Sequence, residues 1–211
     1  MNILMSDLPD QVLIGGESIS INTDFRASIA YEQMLKDPEI SDEEKFFVML
    51  QIFYFDPIRP EYLTEAVNAA ASFYLGQDIE ELKDGPRSFE EAKRSSEPCY
   101  DFEFDSDLIY AAFWQAYGID LSNTELHWWK FKALLAGLPE DSKFAKIIVI
   151  RTQELSDKMS DEERDRLKEL KRIYALPRPE AELEAEDELT RILQEGGDVD
   201  EYLRRLNEDE S

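Results

Sequence analysis

Two side chains in this sequence could act together in nucleophilic catalysis. The single cysteine, Cys99, would be the nucleophile and the single histidine, His127, would be the base. Such chemistry needs a base beside the nucleophile and surroundings that stabilise a thiolate. Cys99 instead lies in an acidic stretch of the sequence, where nearby carboxylates disfavour a thiolate. The surroundings of Cys99 therefore argue against a catalytic dyad.

Metal binding is the second chemistry to consider, because acids alternate along YDFEFDSD. Asp101, Glu103, Asp105 and Asp107 match positions 1, 3, 5 and 7 of a calcium loop. The sixth position is Ser106 where that loop has glycine, and the twelfth is Ala112 where it has a bidentate glutamate. One cysteine and one histidine also cannot close a structural zinc site. With no glycine-rich phosphate loop either, the sequence predicts no catalytic residue, no metal site and no cofactor.

The stretch LHWWKFKALLAGLP (Leu126–Pro139) raises a different possibility, since on a helix it carries two apolar stripes. One stripe is Leu126, Trp129, Ala133 and Ala136, and the other is Trp128, Phe131, Leu135 and Leu138. A surface helix usually has one such stripe. Two interpretations are open: a central core helix with His127 at its edge, or a helix with one stripe facing a partner.

Aromatic side chains also cover more than one face of the preceding helix, DLIYAAFWQAYG. Aromatic residues are enriched where binding energy concentrates in interfaces. A short apolar stripe follows near the C-terminus, at helical spacing from Val199 to Leu206. The residues that we predict to contact a partner are Trp114, Tyr117, Trp128, Trp129, Phe131, Tyr202, Leu203 and Leu206.

The elements that position these residues are predicted to be mainly helical. Val12–Ile21 reads as a β-hairpin turning at Gly15-Gly16, and Thr23 or Asp24 can cap the helix that follows. Serine–glutamate capping boxes start helices at Ser41, Ser122 and Ser160, with a poorer match at Ser88. Further helices are expected at Pro60–Leu75, from Asp105 or Ser106 to Gly118, and over about Asp141–Arg151. Alternation of aromatic and acidic residues predicts a short strand near 100–104.

The fold class is therefore mainly α with a minor β part. Four segments are predicted along the chain. They are a hairpin with helices (1–83), a flexible linker (84–98), an aromatic-rich helical region packing on the first segment (99–177), and an acidic helical tail (178–211).

The charge of the chain limits its partners, because the formal net charge is −25 and the pI is near 4.3. Nucleic acid and anionic membranes are repelled by such a protein. One cysteine, no apolar run long enough to span a bilayer and no signal peptide predict a cytoplasmic protein. An alternative is that the protein is an acidic mimic of nucleic acid that inhibits a host protein.

Four blocks of the sequence, taken in order, carry a resemblance. They are INTDFR, YDFEFDSDLIYAAFWQAYGIDL, LHWWKFKALLAGLPEDSKFAKII and IYALP. Together they resemble the bacteriophage gene-product-fifteen family, tail-region proteins of long-tailed phages and of prophages in Gram-positive bacteria. The resemblance covers roughly residues 1–177, and Tyr100 to Ile150 is its most specific part.

The resemblance implies a tail-assembly chaperone that binds the tape-measure protein, keeps it soluble in the host cytoplasm and is absent from the mature virion. The tail-tube protein and a second copy of the chain are further partners that it leaves open. A structural tail component of the completion or terminator type is the alternative from the same setting. No catalytic residue is implied.

Overall fold

A computed structural model of the chain describes residue 4 and residues 7–76, 99–156, 158–177 and 191–192. Within these ranges the elements are two strands, one short 3-10 helix (Pro60–Tyr62) and seven α-helices. In chain order they are β1 (Gln11–Ile14), β2 (Glu17–Ser20), α1 (Phe25–Lys36), α2 (Asp42–Phe53), α3 (Leu63–Leu75), α4 (Ser106–Tyr117), α5 (Trp128–Ala136), α6 (Lys143–Thr152) and α7 (Asp161–Ile173). The predicted mainly helical class with an N-terminal hairpin is confirmed.

The chain divides into two units, residues 1–174 and residues 175–211. All the elements named above belong to the first unit. In the second, the described residues are 175–177 and 191–192. The predicted linker (84–98), the poorer capping match at Ser88 and the apolar stripe Val199–Leu206 lie outside the described residues. The predicted four-part division of the chain stays a prediction.

The hairpin forms where Gly-Gly predicts it, with Val12 opposite Ile19 and Ile14 opposite Glu17. Gly15 and Gly16 have φ of 58° and 79°, which residues with a Cβ rarely adopt. A Cβ on Gly15 would lie 2.5 Å from the ring of Tyr62. The Gly15 amide also donates to Glu65 Oε2 at 2.9 Å. The turn is therefore both bent by glycine and docked on the start of α3.

Local cap signals place most helix ends correctly. Ser41 and Ser160 form complete capping boxes with Glu44 and Glu163 at the starts of α2 and α7. Asp24 caps α1 by accepting from the Arg26 amide at 2.9 Å. The helix predicted from Pro60 begins as the 3-10 turn and continues as α3 to Leu75. The helix predicted from Asp141 begins at Lys143, capped by Ser142.

The short strand predicted near 100–104 is wrong. The Asp101 carboxylate accepts from the amides of Glu103 and Phe104 at 2.8 and 3.0 Å. The Asp105 amide donates to the Asp101 carbonyl at 2.9 Å. These bonds satisfy the backbone locally, so the segment is a series of turns leading into α4. Phe102 is buried whereas Phe104 is half exposed.

The helix start predicted at Ser122 is also wrong, since α5 begins at Trp128 with His127 as its N-cap. The Ser122 hydroxyl donates to Asp120 Oδ1 at 2.6 Å, and the Ser122 amide donates to the same oxygen at 3.0 Å. Asp120 therefore engages the serine that the capping box would need, and residues 120–126 form a turn and an extended run.

Candidate partner-binding surface

His127 is held between the N-terminal segment and α5. Its Nδ1 accepts from the Trp129 amide at 3.1 Å, so Nε2 carries the proton and donates to the Pro9 carbonyl at 3.1 Å. Burial lowers the pKa of His127, and nearby Lys130 lowers it further, against the opposing effects of the Pro9 carbonyl and Asp10. Both ring nitrogens are thus engaged in a structural cap, and neither is bonded to Cys99.

The two indoles after His127 donate hydrogen bonds to carbonyls at the C-terminal end of α3. Trp128 Nε1 donates to the Tyr74 carbonyl at 2.8 Å, and Trp129 Nε1 donates to the Phe73 carbonyl at 2.7 Å. Lys132 Nζ also donates to the Tyr74 carbonyl, at 2.9 Å, and burial lowers the pKa of this lysine. The last carbonyls of a helix have no partner within it. The start of α5 therefore supplies donors to the Tyr74 carbonyl and a second donor to the Phe73 carbonyl, which also accepts from the Gly76 amide.

Trp128 and Phe131, two predicted contact residues, lie in the core. Trp128 is 3% exposed and stacks on Tyr74, while Phe131 is 0% exposed. The Phe131 ring stacks on Phe25 at 4.7 Å and on Phe113 at 5.1 Å. These contacts join α1, α4 and α5. In this structure neither side chain presents surface to a partner.

Trp129 and Tyr117 are intermediate in exposure and also have internal roles. Trp129 stacks on Phe73 with centroids 5.8 Å apart. The Tyr117 hydroxyl donates to the Leu134 carbonyl at 2.9 Å and so connects α4 to α5. Tyr202, Leu203 and Leu206 lie outside the described residues. For all of these residues a role in partner binding stays a prediction.

Trp114 differs from the other predicted contact residues because it points away from the core. Ile109, Ala112 and Phe113 form the buried side of α4, and Trp114 is 53% exposed on the opposite side. Tyr110, one turn earlier, stacks on it with centroids 6.5 Å apart and 17° between the rings. The exposed residues of this side are Asp107, Tyr110, Ala111, Trp114 and Gln115, which we term the α4 face.

Negative charge adjoins this aromatic pair. The Tyr110 hydroxyl donates to Asp120 Oδ1 at 3.1 Å. Hydrogen bonds from Ser122 and Asn123 lower the pKa of Asp120 to about 2, so its carboxylate is ionised at any physiological pH. Asp107 adds an exposed carboxylate one turn before Tyr110. The α4 face thus combines two stacked rings with the carboxylate of Asp107, and Asp120 adjoins it at the Tyr110 hydroxyl.

A buried ion pair anchors the start of α4, and no sequence pattern predicted it. Arg151 donates to Asp105 through two nitrogens, at 2.6 and 2.9 Å, with side-chain exposures of 8% and 0%. Arg151 also donates to the carbonyls of Cys99 and Tyr174, at 3.1 and 2.6 Å. The partners are 46 residues apart, so spacing along the chain carries no signal for the pair. A two-pronged bond of this kind fixes the orientation of both side chains.

The described residues give little support to the binding of a metal ion. No group of three or more histidine, cysteine or acidic side chains in the described ranges is placed to hold a metal ion. Asp101 and Asp105, from the calcium-like alternation, are engaged by Lys36 and Arg151. A cavity of about 380 Å³ lies beside α1 and is lined by Gln33, Met34, Lys36, Asp37, Asp101 and Glu103.

Comparison with known proteins shows the family of the chain. The sequence profile described as Bacteriophage Gp15 protein matches residues 4–176, and the chain belongs to this family. No curated protein and no solved structure matches it significantly. Within the described residues, no helix has both the length and the apolar character needed to cross a bilayer.

Proposed function

We propose that this member of the Bacteriophage Gp15 family is a tail-assembly chaperone. It binds the tape-measure protein in the host cytoplasm, keeps it soluble during tail assembly and leaves before the virion is complete. Membership of a phage family supports the setting. The observation that carries the proposal is the stacked Tyr110–Trp114 pair, exposed on the outer side of α4.

The α4 face suits a client of this kind. A tape-measure protein is a very long helical chain, and its apolar stripes need cover until the tail tube surrounds it. An aromatic face on a rigid helix can cover part of such a stripe. Two rings offer a modest contact area, so affinity must come from many copies bound along one client chain. The net charge of −25 keeps such a complex from aggregating.

The test is co-expression of the full chain with the tape-measure protein of the same phage, followed by size exclusion in about half-molar salt. We expect the tape-measure protein to be soluble, and to co-elute, only when the chain is present. A tape-measure protein that stays insoluble beside a free, folded chain would remove the proposal.

A matched pair of variants makes the test specific for the α4 face. Trp114→Ser should abolish or strongly reduce co-elution. Phe55→Ser removes another aromatic side chain, which is 71% exposed on the loop after α2, and should leave co-elution unchanged. Equal loss in both variants would mean that the α4 face is not the contact surface. The chain in purified virions would instead indicate a structural tail component.

A further inference from the structure

The charge around the α4 face selects among the helices that it could bind. From Tyr100 to Trp129 the sequence has no lysine or arginine, while it has six acids, Asp101, Glu103, Asp105, Asp107, Asp120 and Glu125. Asp105 is neutralised by Arg151 and Asp101 by Lys36. On α4 itself, Asp107 is the one acidic residue and it is exposed on the α4 face. Arg26 of α1 reaches the same loop, where it donates to the carbonyls of Leu121 and Thr124. Its own charge is paired with Asp24. The charged side chains of α4 and of the loop after it are therefore all acidic, and the nearby cation is already paired.

Asp120 makes this charge a fixed feature of the surface. Its two oxygens accept bonds from Tyr110, Ser122 and Asn123. The carboxylate therefore stays at one place beside the rings, and it needs no cation from its own chain. A partner that places a lysine or arginine there would meet a pre-oriented charge, at little entropic cost.

We propose that the α4 face binds an amphipathic helix whose apolar stripe is flanked by lysines or arginines. The apolar stripe packs on Tyr110 and Trp114, and the flanking cations lie near Asp107 and Asp120. Complementary charge of this kind sets which helices bind and how fast, and it excludes helices with acidic flanks. The inference rests on the proposed function, because it states which segments of the tape-measure protein the chaperone would cover.

Three synthetic peptides of about 18 residues, long enough for five helical turns, separate the contributions. The first has a leucine stripe flanked by lysines. The second has the same stripe flanked by glutamates. The third has the composition of the first in scrambled order, so that charge is kept and amphipathicity is lost. Binding to the full chain is measured by fluorescence anisotropy of the labelled peptide at low salt.

We expect the lysine-flanked peptide to bind at least tenfold more tightly than either of the others. Trp114→Ser should weaken it by about tenfold or more. Asp107→Lys should weaken it by roughly three- to tenfold, and should improve binding of the glutamate-flanked peptide. Glu61→Lys, at an exposed acid beside the hairpin, makes the same charge change and should have no such effect.

Equal binding of the lysine-flanked and glutamate-flanked peptides would overturn the inference, and so would equal binding of the scrambled peptide. A chain that dimerises in sedimentation, and becomes monomeric with Trp114→Ser, would show that a second copy occupies the face and would also overturn it. Co-elution with the tape-measure protein is scored separately. If the peptides do not bind as expected but the tape-measure protein still co-elutes with the chain, only the inference is removed. If the tape-measure protein does not co-elute with the wild-type chain, the proposed function is removed.

Discussion

Two neighbouring helices, α4 and α5, carry all three tryptophans of the chain and use them in opposite ways. On α5 the indoles of Trp128 and Trp129 donate to the last carbonyls of α3 and stack inside the molecule. On α4 the indole of Trp114 is 53% exposed and stacks on a single exposed ring, that of Tyr110. Aromatic content alone therefore does not identify a binding helix. The hydrogen-bond partners of the rings, and the side of the helix on which they lie, distinguish core from surface.

The largest effect on stability is expected for a substitution on α5. Trp128→Ala should lower the free energy of unfolding by about 3–5 kcal/mol, because it leaves a cavity in the core. It also removes one of the donors to the Tyr74 carbonyl. Urea unfolding followed by circular dichroism measures the loss. A change below about 1 kcal/mol would mean that Trp128 is not a core residue in solution.

The next largest effect on stability is expected for the buried Asp105–Arg151 ion pair at the start of α4. Asp105→Asn should cost about 3 kcal/mol, because it leaves the Arg151 guanidinium buried beside a neutral amide. The matched control is Glu169→Gln, which removes one partner of the exposed pair with Arg172 and should not change stability measurably. Equal urea midpoints for the two variants would contradict the assignment of Asp105 as a buried anchor.

A smaller effect follows from the pKa of His127, which folding lowers from its ordinary value of 6.5. Below that pH the unfolded chain binds more protons than the folded chain, so the free energy of unfolding falls as pH falls. Protonation would also place a hydrogen on Nδ1, facing the Trp129 amide. Urea unfolding at about pH 7.5 and about pH 5.5 measures the loss.

Because some carboxylates begin to bind protons towards the lower pH, the effect of His127 is read by difference. His127→Asn keeps a good N-cap side chain but cannot titrate. The wild-type chain should lose more stability on acidification than this variant does. Parallel losses would show that the histidine does not contribute to the pH dependence.

The smallest effect on stability is expected on the α4 side of the comparison. Trp114→Ala should change the free energy of unfolding by less than about 1 kcal/mol, since the side chain is more than half exposed. The same variant should lose the tape-measure protein in the co-elution experiment. A loss of stability comparable to that of Trp128→Ala would place Trp114 in the core and end the distinction between the two helices.

Local chemistry explains which features could be predicted from the sequence. The Gly-Gly hairpin and the capping boxes at Ser41 and Ser160 depend on residues within a few positions of each other. The same short-range logic failed at Ser122, because Asp120 competes for its hydroxyl. It failed again near 100–104, where Asp101 binds the amides that a strand would pair.

The residues of the candidate site could not be identified from their spacing along the sequence. Trp114 and Trp128 look alike in sequence, and only tertiary packing places one outside and one inside. The bond from Trp129 to Phe73 spans 56 positions, and the Arg151–Asp105 pair spans 46. No helical or strand periodicity reaches across such distances. Sequence reasoning could therefore propose the aromatic helices but could not choose between their faces.

The contacts of Arg151 also have a consequence for how the protein opens locally. One guanidinium holds the carbonyl of Cys99, the carboxylate of Asp105 and the carbonyl of Tyr174. Displacement of the Arg151 side chain would leave all three acceptors without this donor at once. The start of α4 and the ends of α6 and α7 should therefore open as one cooperative unit, and their amide hydrogens should exchange with one shared opening free energy.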